Sequence, residues 1–285
     1  MLERLSQLGR FLRRDPLMTM GVSWVLLLVV VAVFAPVIAP YSEDAVECHV
    51  ERKLEGPSLT HFFGTDELGR DVFSRVILGT RISLTVGFIA VGLALLVGIP
   101  LGVVAGFFGG WIDEAIMRTT DIFLSFPPLL LAMAISAVLG PSLPNAMLAI
   151  AIAWWPWYTR ILRGEANALR HRPFVEAARA LGVPQWRILF KHVLPNCFVP
   201  VIIQASIDFG SILLVTASLS FLGLGAQPPI PEWGLMISSS RSYFLNAWWI
   251  VTFPGLAILF AVLALNLVGD GLREALDPKL RHIKK

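Results

Sequence analysis

The sequence predicts an all-α fold, a polytopic membrane helical bundle of six transmembrane helices with both termini cytoplasmic. Three observations predict it. First, 56% of the 285 residues are hydrophobic and only 15% are charged, against about 25% charged in soluble domains; the mean hydropathy is +0.72. Second, six apolar runs reach or approach the ~20 helical residues needed to cross a hydrocarbon core. They are 18–39, 82–108, 122–139, 143–162, 198–222 and 248–268. Lipid offers no hydrogen bonds to the backbone, so such runs must be helical. Third, Lys and Arg alternate with the spans. With the N-terminus inside, the cytoplasmic segments carry 17 of them and the outer segments six, the asymmetry that sets orientation.

The elements follow in order. Arg4, Arg10, Arg13 and Arg14 precede the first run. They resemble the basic region of a signal peptide, but the run exceeds the roughly 7–15 residues of a signal core and is read as a retained first span. Asp15-Pro16 suits an N-cap followed by proline at the first helical position. The chain thus divides into a cytoplasmic segment 1–17, a first span 18–39, an outer loop 40–81, a transmembrane core 82–270 and a cytoplasmic tail 271–285. Within the core, 164–196 forms a long cytoplasmic loop. Trp154, Trp155 and Trp157 fall at the inner end of the fourth span, and Trp248 and Trp249 at the outer end of the sixth. These positions suit interfacial belts, with substrate stacking as the alternative. Cys48 and Cys197 fall on opposite sides of the bilayer and cannot pair. The basic residues follow topology rather than forming a stripe, so no nucleic-acid partner is expected; membrane lipid is.

The cytoplasmic loop carries the functional signal. Pro173 can start a short helix with Glu176 in its first turns, where the dipole favours a carboxylate. Ala177 and Ala178 present a small, approachable face beside Arg179. Gly182 can take the left-handed conformation that ends a helix. Pro184 begins a second helix, 185–193, and Pro195 is expected to end it before the fifth span. Flanking arginines favour a docking surface over a plain solvated loop.

The run Glu176-Ala177-Ala178, Gly182 and Leu194-Pro195 resembles the EAA loop of ABC importer permeases. That family often has Ile where this chain has His192, and the His-Val-Leu-Pro-Asn form is similar to its peptide/nickel (DppC/OppC-like) branch. Other segments resemble the same branch: Gly64-Thr65-Asp66, Gly69-Arg70-Asp71, Ser74-Arg75 and Arg81-Ile82-Ser83-Leu84; the run from Leu222 through Gln227-Pro228-Pro229 to Pro231-Glu232-Trp233-Gly234; and Gly269-Asp270-Gly271-Leu272-Arg273 with Leu276-Asp277-Pro278-Lys279. The resemblance implies a type I ABC importer permease, a binding-protein-dependent inner-membrane component of a prokaryotic plasma membrane. It implies a homologous second permease (DppB-like), two cytoplasmic ATPases (DppD/DppF-like) and an extracytoplasmic binding protein (DppA-like), with dipeptides or oligopeptides as cargo. Nickel-chelate, glutathione and oligosaccharide importers of the same branch stay open.

No phosphate loop of the form G-x-x-x-x-G-K-[ST] occurs, nor any Gly-Lys pair. The chain is therefore not expected to be the enzyme: ATP and Mg are expected on partner subunits, with no cofactor in this chain. No HExxH, CxxC or GxSxG site supports a membrane enzyme. A proton-coupled transporter would show intramembrane relays, and only Asp208 lies deep in a span.

Three sets of site residues follow. Glu176, Ala177, Ala178, Arg179 and Gly182 are expected to contact the ATPase. Gln204, Asp208, Ser211 and Ser218 share one face of the fifth span. They line the translocation path, or Asp208 instead holds the bundle together. The outer loops 41–81 and 225–247, with Gln227, Pro228, Pro229, Glu232 and Trp233, are expected to receive the binding protein, or only to shield the outer gate.

Overall fold

The computed structural model describes residues 15–43 and 47–276. The N-terminal arginines, Asp44 and the basic residues beyond position 276 lie outside it, as does the Asp277-Pro278-Lys279 motif. Every main element among the described residues is helical, and a single isolated bridge pairs Thr65 with Asp71.

Helix α1 spans Pro16–Ile38. As expected, Asp15 caps it, accepting from the amides of Leu17 and Met18 at 3.0 and 3.1 Å with Pro16 in the first turn. Helix α2 spans Val72–Phe108, ten residues earlier than the expected start at 82. Asp71 caps it through the Ser74 amide at 2.7 Å, and Arg75 is buried against Asp66 rather than exposed. The charge of Arg75, one of the two that marked 72–81 as loop, is thus neutralised inside the protein, while Arg81 stays exposed.

The expected third span is not one rod. It consists of α3 (Gly110–Leu124) and α4 (Pro128–Leu139), bent by 87°. Pro127 and Pro128 lack the amides a continuous helix needs and push the preceding residues out of helical geometry. Helix α5 spans Leu143–Leu169, α6 Pro173–Ala180, α7 Gln185–Phe221, α8 Trp233–Ser240 and α9 Trp249–Leu276. Pro195 does not end a helix as expected. Helix α7 runs on through a π-helical stretch, Leu189–Val193. A wider turn accommodates the missing proline amide, and the Asn196 side chain donates to the His192 carbonyl at 2.6 Å.

Four helices, α1, α2, α7 and α9, are long and apolar enough to span a membrane, and the bent pair makes up to five. Helix α5 has the length, at 27 residues, but its prolines and the aromatic cluster from Trp154 to Tyr158 lower its hydropathy.

Helix α2 is the axis, packing on α5, α1, α7 and α9. Gly98, Gly102 and Gly106 form a stripe with four-residue spacing against α5. A Cβ at Gly98 would lie 2.7 Å from the Tyr158 Cβ, and one at Gly102 2.5 Å from the Thr159 carbonyl oxygen. Small residues let helix backbones approach this closely where no hydrophobic force drives them together. Thr159 uses the approach, donating to the Gly98 carbonyl at 3.4 Å. The tryptophans expected near the interfaces differ in exposure: Trp154, Trp155 and Trp249 are buried, while Trp157 and Trp248 are exposed.

Candidate functional site

Helix α6 lies at one end of the bundle, slung between α5 and α7. Pro173 occupies its first turn with Glu176, and Arg179 its last. Its end is a two-bond cap: the Gly182 amide donates to the Arg179 carbonyl at 2.9 Å and the Val183 amide to that of Ala178 at 3.1 Å. Gly182 adopts φ +73°, the left-handed residue such a cap requires. Val175 anchors the helix in a cluster with Val103, Phe107, Leu162, Ile188 and Val193. The Arg179 guanidinium lies 5.5 Å from the Phe107 ring centre.

The outward side of α6 presents Glu176 and Ala177. It also presents apolar residues that sequence reasoning missed: Phe174 and Leu181, with Trp186 beyond the turn, are 45%, 83% and 59% exposed. Phe174, Ala177 and Leu181 follow the i, i+3, i+7 spacing of one helical stripe, a legible signal. Ala178 and Arg179 are half-buried. Two ion pairs brace the adjoining end of α5 against α3. Arg163 grips Asp113 at 2.6 Å, and Arg160 meets Asp121.

On α7, Gln204 donates to Asp208 Oδ1 at 3.0 Å. Asp208 is only 9% exposed, and Tyr158 of α5 packs among Ala205, Phe209 and Ile212 on either side of it. The Asp208 Oδ2 atom and the Tyr158 hydroxyl are both buried without a hydrogen bond. Ser211 is exposed and Ser218 half-buried, the latter donating to the Leu214 carbonyl at 2.8 Å. The four residues thus differ in access, with Asp208 turned toward the protein's own interior.

At the opposite end, residues 47–71 fold into a compact layer around buried charge. Asp66 Oδ1 accepts from the amides of Leu68 and Arg70 at 2.9 and 3.0 Å, and Oδ2 from the Arg70 side chain at 2.7 Å. Asp71, besides capping α2, meets His61 at 2.9 Å. Glu67 accepts from Ser240 of α8 at 2.9 Å, and the Trp249 indole donates to the Thr65 carbonyl at 3.1 Å. The Gly-Thr-Asp and Gly-Arg-Asp segments therefore form a structural knot.

Gln227 is half-buried, donating to the carbonyls of Gly223 and Gly225, and Pro228 and Pro229 are exposed. Glu232 and Trp233 are each 1% exposed, so they shape the loop from within rather than meeting a partner. Glu232 caps α8 through the amides of Gly234 and Leu235 at 3.0 and 2.8 Å. Burial pushes its carboxyl up from the usual range, and these bonds partly oppose that. The Trp233 indole donates to the Val76 carbonyl at 3.0 Å. The exposed apolar residues at this end are others: Leu59, Phe62, Leu245 and Trp248.

Two family models match the chain. Residues 98–282 match the binding-protein-dependent transport system inner membrane component, and residues 5–57 the N-terminal TM domain of oligopeptide transport permease C. Among curated proteins, the dipeptide transport system permease protein DppC of Alkalihalophilus pseudofirmus is 48% identical over 270 residues, covering 95% of this chain and 88% of the relative. The di/tripeptide permease DppC of Pseudomonas aeruginosa is 49% identical, covering 92% and 88%. The glutathione transport permease GsiD of Pectobacterium atrosepticum is 44% identical, covering 95% and 90%. An inward-facing structure of the MetNI methionine ABC transporter shares the fold at a TM-score of 0.57 and 20% identity, covering 71% of this chain and 97% of that one. The chain belongs to the binding-protein-dependent transport system inner membrane components, the permease subunits of ABC importers.

Proposed function

We propose that this chain forms one half of the translocation path of an ATP-driven importer for dipeptides or short oligopeptides. The carrying observation is that the chain aligns over 95% of its length with a dipeptide permease at 48% identity. In this reading six spans cross a prokaryotic inner membrane with both termini cytoplasmic, the broken α3–α4 pair and α5 supplying the third and fourth. The unit boundaries are those of the sequence, except that the outer loop gives way to α2 at Val72.

Glu176, Ala177, Ala178, Arg179 and Gly182 present α6 to a cytoplasmic ATPase, which binds ATP and Mg. The exposed Phe174 and Leu181 supply the apolar contact around Glu176. A homologous second permease completes the path, with Ser211, Gln204 and Ser218 lining it. Asp208, enclosed by α5, stands behind that face and braces the bundle. The binding protein docks at the opposite end on Pro228, Pro229 and the exposed apolar residues of the outer layer, over a frame set by Gln227, Glu232 and Trp233.

The test is uptake of radiolabelled dipeptides by cells lacking this subunit and complemented with it, alongside its partner genes. Peptide uptake restored by the chain supports the reading. Restored uptake of a nickel chelate or of glutathione with none of peptide moves the cargo to another member of the branch.

A further inference from the structure

Helices α5 and α7 carry the two ends of the loop that holds α6, and they meet at three levels. Near α6, Leu162 and Ala166 of α5 pack with Ile188, Val193 and Val201 of α7. At the far end, Ile150 and Ala153 share a cluster with Ile212 and Leu219. Between these apolar levels stands a polar one: Tyr158 packs in one cluster with Ala205, Phe209 and Ile212, the α7 residues on either side of Asp208. Tyr158 is fully buried and Asp208 nearly so. One Asp208 oxygen holds Gln204; the other, and the phenol oxygen, have no hydrogen-bond partner in this conformation. Apolar helix faces inside a membrane gain little from one register over another, because lipid tails are as apolar as leucine. An acceptor and a donor placed opposite each other at this depth define one register, since leaving either alone is costly.

We propose that Tyr158 and Asp208 form a polar pin between α5 and α7, so that both arms of the coupling loop move as one body when the ATPase displaces α6. In the pin the phenol O–H donates and the free Asp208 oxygen accepts. Tyr158 is a positioning residue: it touches neither cargo nor nucleotide, and acts through the register of α5 on α7. The inference rests on α6 being the ATPase contact.

The experiment uses the full transporter with its second permease, ATPases and binding protein in proteoliposomes. It reads the dialanine imported per ATP hydrolysed, and the hydrogen exchange of the backbone amides of 173–183. Tyr158→Phe, which removes only the hydroxyl, is expected to lower import per ATP and to speed exchange, each roughly threefold, the effect of losing one interhelical hydrogen bond. Asp208→Asn keeps an acceptor for the phenol and is expected to retain both. Wild-type values in Tyr158→Phe overturn the pin, as does an Asp208→Asn variant as impaired as Tyr158→Phe. If Tyr158→Phe does not accumulate, the double variant Tyr158→Phe/Asp208→Leu removes both orphaned groups. It is expected to accumulate yet stay poorly coupled, and full coupling overturns the pin. A wild-type complex that imports no dialanine refutes the peptide reading alone, because the exchange measurement still decides the pin.

Discussion

Substituting Gly182 with valine separates backbone conformation from packing at the coupling loop. Gly182 sits at φ +73°, and a Cβ built on it meets nothing within 4 Å. The substitution therefore introduces no clash, only a β-branched residue in the left-handed region. That conformation costs an L residue about 1–2 kcal/mol. If the backbone relaxes instead, the capping bonds from Gly182 to Arg179 and from Val183 to Ala178 are lost, at about 0.5–1.5 kcal/mol each. The cheaper route, at about 1–2 kcal/mol, lowers the population of the folded turn relative to its alternatives roughly 5- to 30-fold. Asparagine tolerates the left-handed region far better. Uptake per membrane-inserted transporter should fall in the order Gly182, Asn, Ala, Val, measured as initial rates of labelled dipeptide uptake normalised to subunit abundance by immunoblot. Normal uptake by a well-expressed Gly182→Val subunit would refute the rigid-turn reasoning. Equal loss in the Asn and Val variants would show that the side chain, not φ, matters.

Other outcomes follow from the same structure. Glu176→Lys, on an exposed face, should leave membrane abundance unchanged and abolish uptake; retained uptake removes Glu176 from the docking surface. Gly102→Val should prevent stable insertion, since its Cβ meets backbone at 2.5 Å and overpacking costs about 1–3 kcal/mol. Gly92→Ala on the same helix, with open space around it, should accumulate normally, and equal abundance of the two on immunoblots contradicts the close-approach account. Glu232→Ala removes the carboxylate that accepts from two amides of α8 and should destabilise the subunit by about 1–2 kcal/mol, read as a lower midpoint of thermal unfolding for the purified complex. An unchanged midpoint would mean that α8 does not depend on this cap.

The first span and the coupling turn were legible because local rules decide them. Asp15-Pro16 and Pro173 to Gly182 adopt the conformations their own side chains favour. The start of α2 was not, because hydropathy counts Arg75 against the membrane and cannot see Asp66, which neutralises it from nine residues away. The bend between α3 and α4 was written in Pro127-Pro128, but averaging over the run concealed it. The close approach of α2 and α5 was likewise present as glycines at 98, 102 and 106. Tyr158 opposite Asp208 could not be read, since no spacing within one chain segment says which helices will meet. Glu232 and Trp233 sit in a loop, where recognition residues tend to lie, yet their carboxylate and indole satisfy backbone groups inside.

The knot of residues 47–71 has a consequence for how the subunit is made. Its residues lie early in the chain, yet two of the contacts that hold it come late: Ser240 is 173 residues after Glu67, and Trp249 is 184 residues after Thr65. The ribosome must synthesise nearly the whole polypeptide, and the insertion machinery must deliver its last helix, before the layer can lock. Until then Asp66, Arg70 and Arg75 lack their final enclosure. A subunit truncated before α9 would carry that layer without the Trp249 indole that closes it.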